Sequence, residues 1–122
     1  MVTVKYEEYT NDFWRKEKKK EFGSIQEFID WFFGLCDGKY KERISIPNPD
    51  RKDIWGDGPS CMEVNCMWTR NRSYWIHEII EGGRIVFSDG TYTDRQKHWN
   101  EEIKQHCRDM MQRKNKPVFN FG

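Results

Sequence analysis

The stretch Met62-Glu63-Val64-Asn65-Cys66-Met67-Trp68-Thr69-Arg70-Asn71-Arg72-Ser73-Tyr74-Trp75-Ile76-His77-Glu78-Ile79-Ile80-Glu81-Gly82-Gly83-Arg84-Ile85-Val86-Phe87-Ser88 decides the fold. Met62, Val64, Cys66 and Trp68 alternate with Glu63 and Asn65, the period-two pattern of a strand with one buried face. Residues 69–73 are polar turn material and 74–80 read as a second strand. Glu81-Gly82-Gly83 is a tight turn, and 84–88 read as a third strand ended by Asp89-Gly90. Strands joined by short turns pair antiparallel, so the centre of the chain predicts a three-stranded antiparallel meander.

Outward from that centre, Val2, Val4 and Tyr6 alternate with Thr3, Lys5 and Glu7, which predicts another half-buried strand before the turn residues Thr10-Asn11-Asp12. Arg15-Lys16-Glu17-Lys18-Lys19-Lys20-Glu21, just after Phe13 and Trp14, is the most basic short segment and reads as a solvated face. Ser24-Ile25-Gln26-Glu27 is a capping box, in which the Ser and Glu side chains satisfy free backbone N–H groups at a helix start. Ile25, Phe28, Ile29, Phe32, Leu35 and Cys36 then recur at helical spacing, with Asp37-Gly38 as the stop. Trp31 and Phe33 widen this apolar face, so the helix is covered on more than one side, by the following loop or by another subunit.

Residues 43–46 predict a short strand, and 47–60, with three Pro and two Gly, a long loop. Thr93-Asp94-Arg95-Gln96 repeats the capping-box pattern and predicts a second helix to about Arg113, with Trp99, Ile103, His106, Cys107 and Met110 on one stripe. Across 95–116, Arg95, Lys97, Lys104, Arg108, Arg113, Lys114 and Lys116 face only Glu101, Glu102 and Asp109, so the outer side of this helix is basic. Phe119 and Phe121 share one side of an extended tail, which closes the chain's own sheet or augments a neighbour's. With neither repeats nor a low-complexity linker, residues 1–122 are expected to form a single α+β domain: an antiparallel β-sheet (meander) flanked by two amphipathic helices.

Only 36% of the 122 residues are hydrophobic and 34% are charged, yet 16% are aromatic, so the core is to be built from a few large rings. Lys and Arg (21) nearly balance Asp and Glu (20), which argues against a generic polyanion binder and makes any basic surface local. No stretch reaches the ~18 apolar residues of a membrane span, and Met1-Val2-Thr3-Val4-Lys5 lacks the layout of a signal peptide. A cytoplasmic protein with no membrane partner is therefore expected. Cys36, Cys61, Cys66 and Cys107 lack the spacing of zinc knuckles and read as reduced, buried thiols.

Motifs for covalent, nucleotide-hydrolysing or metal chemistry are missing: the chain has no G-x-S-x-G, Walker loop, G-x-G-x-x-G, H-E-x-x-H or EF-hand pattern. His77 beside Glu78 suggests a base with its orienting acid, but neighbouring strand residues project to opposite faces. Asp50, Asp53 and Asp57 lack the ligands that complete a calcium loop. The chain is therefore expected to be non-enzymatic, with no cofactor and no metal. What stands out is an excess of rings and guanidinium groups near loops. Trp55, Trp75, Phe87 and Tyr92 suit stacking on a planar base, and Arg51, Arg70, Arg72 and Arg95 suit phosphates. Each alone reads better as a core ring or a solvated arginine, and Trp55 equally as a plug at the core edge. The functional assignment depends on their clustering around the long loop and the meander turns.

At Ile85-Val86-Phe87-Ser88-Asp89-Gly90, Lys97-His98-Trp99-Asn100 and Asn115-Lys116-Pro117-Val118-Phe119-Asn120-Phe121, the chain resembles small phage and prophage proteins of the counter-defence type, a likeness of the C-terminal half. That resemblance implies a protein that sequesters an immune signal or blocks a defence effector, in the host cytoplasm. The residues and the resemblance together predict a homo-oligomeric binding protein that captures a small anionic nucleotide-like ligand. The alternative is an anti-CRISPR-like inhibitor that binds a host defence protein handling nucleic acid. Direct nucleic-acid binding through the 16–20 run and the second helix ranks third.

Overall fold

The computed structural model describes residues 1–10, 14–36, 42–51, 61–66, 71–92 and 97–115. Its elements are β1 (Val2–Thr10), β2 (Arg15–Phe22), α1 (Ile25–Gly34), β3 (Ile44–Ser45), β4 (Met62–Cys66), β5 (Arg72–Glu81), β6 (Arg84–Ser88), β7 (His98–Trp99) and α2 (Glu101–Asn115). All strand pairings are antiparallel, in one seven-stranded sheet with two helices, the α+β architecture that the sequence predicts.

The meander has a particular geometry. β1 lies along the whole of β5, from Val2 opposite Glu81 to Thr10 opposite Arg72. Only one edge of β5 is left, so β4 takes its first half (Arg72 to Ile76) and β6 its last residues (Glu78 to Glu81), end to end. Gly82 and Gly83 connect β5 to β6 with φ of 57° and 78°, values that a two-residue hairpin turn demands and that a side chain would strain.

One face of the sheet is covered by the helices. Val2, Val4, Tyr6, Met62, Val64, Tyr74, Ile76, Ile79 and Phe87 pack with Phe28, Ile29 and Phe32 of α1 and Ile103, Cys107 and Met110 of α2 in one core. The broad apolar face of α1 is used within the chain. Trp31 meets Tyr6 (centroids 5.2 Å apart), Phe22 (5.4 Å) and Tyr74 (6.3 Å), while the Arg113 guanidinium of α2 lies 4.5 Å from the Phe33 ring centre. Each such ring pair contributes about 1 kcal/mol beyond the area it buries. Cys36, Cys66 and Cys107 are buried and Cys61 is half-buried, none in a disulfide; burial pushes the Cys107 thiol up to about 12.

Ser24 caps α1 as predicted: its Oγ accepts from the Glu27 N–H at 3.2 Å, and Glu27 Oε2 accepts from the Gly23 N–H at 2.7 Å. The helix ends at Gly34, before the expected stop, and Asp37 and Gly38 fall outside the described residues. The second helix departs from expectation. It does not start at Thr93; residues 93–96 lie outside the described set, and His98–Trp99 forms β7, with Trp99 opposite Phe87 rather than on a helical stripe. The cap is Asn100, whose Oδ1 accepts from the Ile103 N–H at 2.9 Å and whose carbonyl accepts from the Lys104 N–H at 3.0 Å. Glu101 and Glu102 sit in the first turn and Arg113 and Lys114 in the last, each matching the helix dipole. Asn100→Ala is expected to lower stability by about 1 kcal/mol in urea denaturation, as loss of an N-cap does.

The 15–21 segment is solvated, as its composition implies, but it is a strand. Lysine and glutamate are poor strand formers; cross-strand partners hold them here. Lys18 Nζ reaches Glu8 at 2.8 Å, Arg15 pairs with Glu7, and Lys20 lies over the Phe22 and Trp31 rings. Among the described residues no helix is long and apolar enough to cross a membrane.

Candidate functional site

The face of the sheet away from the helices is polar, and a break in strand alternation shapes its centre. On β1, Lys5, Glu7 and Tyr9 point to this face while Val4 and Tyr6 point to the core. On β5, Trp75 is opposite Glu7 and Ile76 opposite Tyr6, but Lys5 is opposite Glu78, so His77 is an extra residue with no partner on β1. This bulge puts Trp75, His77 and Glu78 on one face. The objection that neighbouring strand residues must diverge therefore lapses at this position, although the acids that engage His77 are two others.

His77 Nδ1 lies 2.7 Å from Asp89 Oδ2 and 2.9 Å from Thr91 Oγ1, and Nε2 lies 3.4 Å from Glu7 Oε1. The Tyr9 hydroxyl donates to Glu7 Oε2 at 2.6 Å, and the Arg15 guanidinium closes the other oxygen of Glu7. Asp89 Oδ1 accepts from the Thr91 N–H at 2.9 Å, an Asx turn that fixes the carboxylate just after β6. His77, Glu7 and Asp89 are each about 5% exposed or less at the side chain. Burial alone pushes the His77 pKa down. The hydrogen bond and charge of Asp89, followed by those of Glu7, outweigh it and hold the imidazole above its ordinary value. Burial likewise pushes Asp89 and Glu7 up, but His77 and Thr91 for the first, and Tyr9, Arg15 and His77 for the second, bring both below the usual carboxylate range.

An imidazolium between two carboxylates is the species this geometry favours. Nδ1 is hydrogen-bonded to Asp89 and Thr91, whereas Nε2 is buried 3.4 Å from Glu7 without a hydrogen bond among the described residues. The cluster ties β1 and β5 to the segment after β6. Among the described residues, no group of three or more His, Cys, Asp or Glu is placed to hold a metal ion.

Of the eight residues singled out from the sequence, the structure brings together two. Trp75 and Tyr92 flank His77, at ring separations of 5.6 and 6.3 Å. Phe87 is fully buried on the opposite, helix-covered face, because its register partner Ile79 points there. Arg72 is exposed at the start of β5, 3.3 Å from Glu8, and Arg51 is exposed at the end of a described segment. Trp55, Arg70 and Arg95 lie outside the described residues. Around Trp75 the surroundings are acidic. Glu63 is its cross-strand neighbour on β4, with burial raising its carboxyl, and Glu78 and Lys5 lie 3.7 Å apart nearby. The indole N–H of Trp75 is buried without a hydrogen-bond partner among the described residues.

A second surface was read in the sequence as a solvated basic run and a third-ranked nucleic-acid contact, not as a strand. Among the described residues β2 pairs with β1 on one side only and forms an edge of the sheet. All seven residues 15–21 are exposed, and Trp14 at its head is 69% exposed. Five cations (Arg15, Lys16, Lys18, Lys19, Lys20) stand against two acids (Glu17, Glu21), a local charge of +3 in a nearly neutral chain. The signal available was the strand 2–10 itself, which needs a partner, followed by a turn and a run of matching length.

Neither a family model, nor a curated protein, nor a solved structure matches the chain.

Proposed function

We propose that the protein is a non-catalytic, phage-type counter-defence protein that blocks a host protein handling nucleic acid, docking through the outer edge of β2. One observation carries this reading: the longest edge of the sheet is an exposed, cationic strand with a large exposed ring, Trp14, at its head. Exposed tryptophan and clustered cations are what a contact surface offers a partner. Blocking needs affinity and abundance rather than turnover.

Capture of a small nucleotide-like signal is the second reading. It is favoured by the Trp75 and Tyr92 rings beside His77 and by the unsatisfied Trp75 N–H. Against it stand Glu7, Glu63, Glu78 and Asp89 on the same face, which repel a phosphate at close range. The two are separated by experiment. In a host whose defence depends on a nucleic-acid-handling effector, the wild-type protein is expected to restore plaque formation. A Lys16→Glu, Lys20→Glu variant with unchanged circular dichroism is expected to lose that effect. Cyclic nucleotides and ADP-ribose compounds are expected to leave the melting temperature unmoved. A ligand at 100 times its Kd would add about 2.7 kcal/mol to stability, and such a rise would replace blocking with capture.

A further inference from the structure

The two sides of β2 differ in charge pattern. Strand alternation places Lys16, Lys18 and Lys20 on the helix side, opposite Glu8, Tyr6 and Val4 of β1, and Arg15, Glu17, Lys19 and Glu21 on the other. The first row is wholly cationic and is flanked by Trp31 and Phe22, over which Lys20 lies. The second row alternates in sign. Lys18 is engaged by Glu8, whereas Lys16 and Lys19 have no ion pair among the described residues. Among the described residues nothing pairs with the backbone of β2 beyond β1, which leaves a row of hydrogen-bonding groups.

We propose that β2 receives an extended segment of a protein partner as an added strand, and that this segment carries Asp or Glu at every second position, facing Lys16, Lys18 and Lys20. The inference rests on the reading of β2 as the contact edge and gives that contact a chemistry. Strand addition takes its affinity from main-chain hydrogen bonds and its selectivity from alternate side chains. Acids opposite the lysine row form favourable cross-strand pairs, while the mixed row accepts neutral or mixed residues. A second copy of this chain fits poorly. In a two-fold antiparallel pairing, opposite residues share a face, so the lysine row meets itself, with Lys16 opposite Lys20 and Lys18 opposite Lys18, and +3 meets +3. Single-stranded nucleic acid would use the lysine row but not the strand's backbone groups, and Glu17 and Glu21 would oppose its phosphates.

The test uses the full chain and three labelled probes of equal charge: an end-capped eight-residue peptide alternating Glu and Thr, its isomer with the four Glu in one block, and a four-phosphate oligouridylate. The alternating peptide is expected to bind at least about tenfold more tightly than either other probe. Binding should protect β2 amides from hydrogen exchange and fall about tenfold in the Lys16→Gln, Lys20→Gln variant, which keeps the Lys18–Glu8 pair. Equal binding of the two peptides, or tighter binding of the oligouridylate, overturns strand addition. So does the absence of any peptide binding, the outcome expected if the edge lysines serve only to prevent pairing. If plaque restoration still depends on Lys16 and Lys20 after such a result, β2 docking stands without strand addition. If plaque restoration survives Lys16→Glu, Lys20→Glu, both fall.

Discussion

Phe32→Ala is expected to lower the stability of the domain by about 3–5 kcal/mol, the cost of truncating a buried aromatic in a core that relaxes only in part. Phe32 is fully buried in the last turn of α1, with its ring centre 5.8 Å from Phe28 and 5.9 Å from Phe33. It lies where the helix meets the sheet, in a core that sets its rings among aliphatic side chains such as Ile29, Ile76 and Ile79 rather than being built from rings alone. A domain of this size holds about 5–15 kcal/mol in total, so the variant should populate unfolded chain at ordinary temperature. Guanidinium denaturation measures the loss. A change under about 1 kcal/mol would mean that the aromatic interior is loosely packed and that α1 is not its centre.

Asp89→Ala is expected to cost about 3 kcal/mol, since it leaves a buried imidazolium with one ionic partner instead of two. The pH dependence is the sharper measurement. In the native state His77 holds its proton more tightly than in the unfolded chain, where its pKa is near 6.5. Its contribution to stability is therefore complete below that value and declines as pH rises through the native pKa. Asp89 and Glu7 are shifted down from 3.8 and 4.5, so their contributions are complete above those values and decline as pH falls through the native ones. The wild-type melting temperature should thus peak on the mildly acidic side of neutrality, and Asp89→Ala should flatten its alkaline limb. Nitrogen-15 imidazole shifts should show the ring titrating above its ordinary value. An unchanged alkaline limb in the variant would contradict the assignment of Asp89 as the chief partner.

Much of the fold was legible because its signals are local. The Ser24 box, the alternation in 2–6 and 62–66 and the glycine pair at 82–83 each act within a few residues, and each stands in the structure as read. β2 was not legible in the same way: its residues avoid strands on their own, and Glu7 and Glu8 of the neighbouring strand recruit them. Thr93 to Gln96, which read as a helix start, lie outside the described residues; α2 is capped at Asn100, after Trp99 pairs in extended form with Phe87. His77 was noticed and its partner missed. Asp89 is twelve residues away, and the bulge that turns His77 toward it depends on the register with β1, which no window along β5 contains.

The end-to-end arrangement of β4 and β6 has a mechanical outcome. β4 releases β5 at Ile76 and β6 takes hold at Glu78, so the ladder on that edge has a seam at residue 77. Across the seam the His77 carbonyl accepts from the Asp89 N–H at 3.0 Å, and the buried ion pair lies beside it. The β3–β4 wing and the β6–β7–α2 wing therefore hang from β5 as two leaves on one spine. Their amides should open to exchange as separate cooperative units, with the histidine and its two acids fastening the second leaf to β1 and β5.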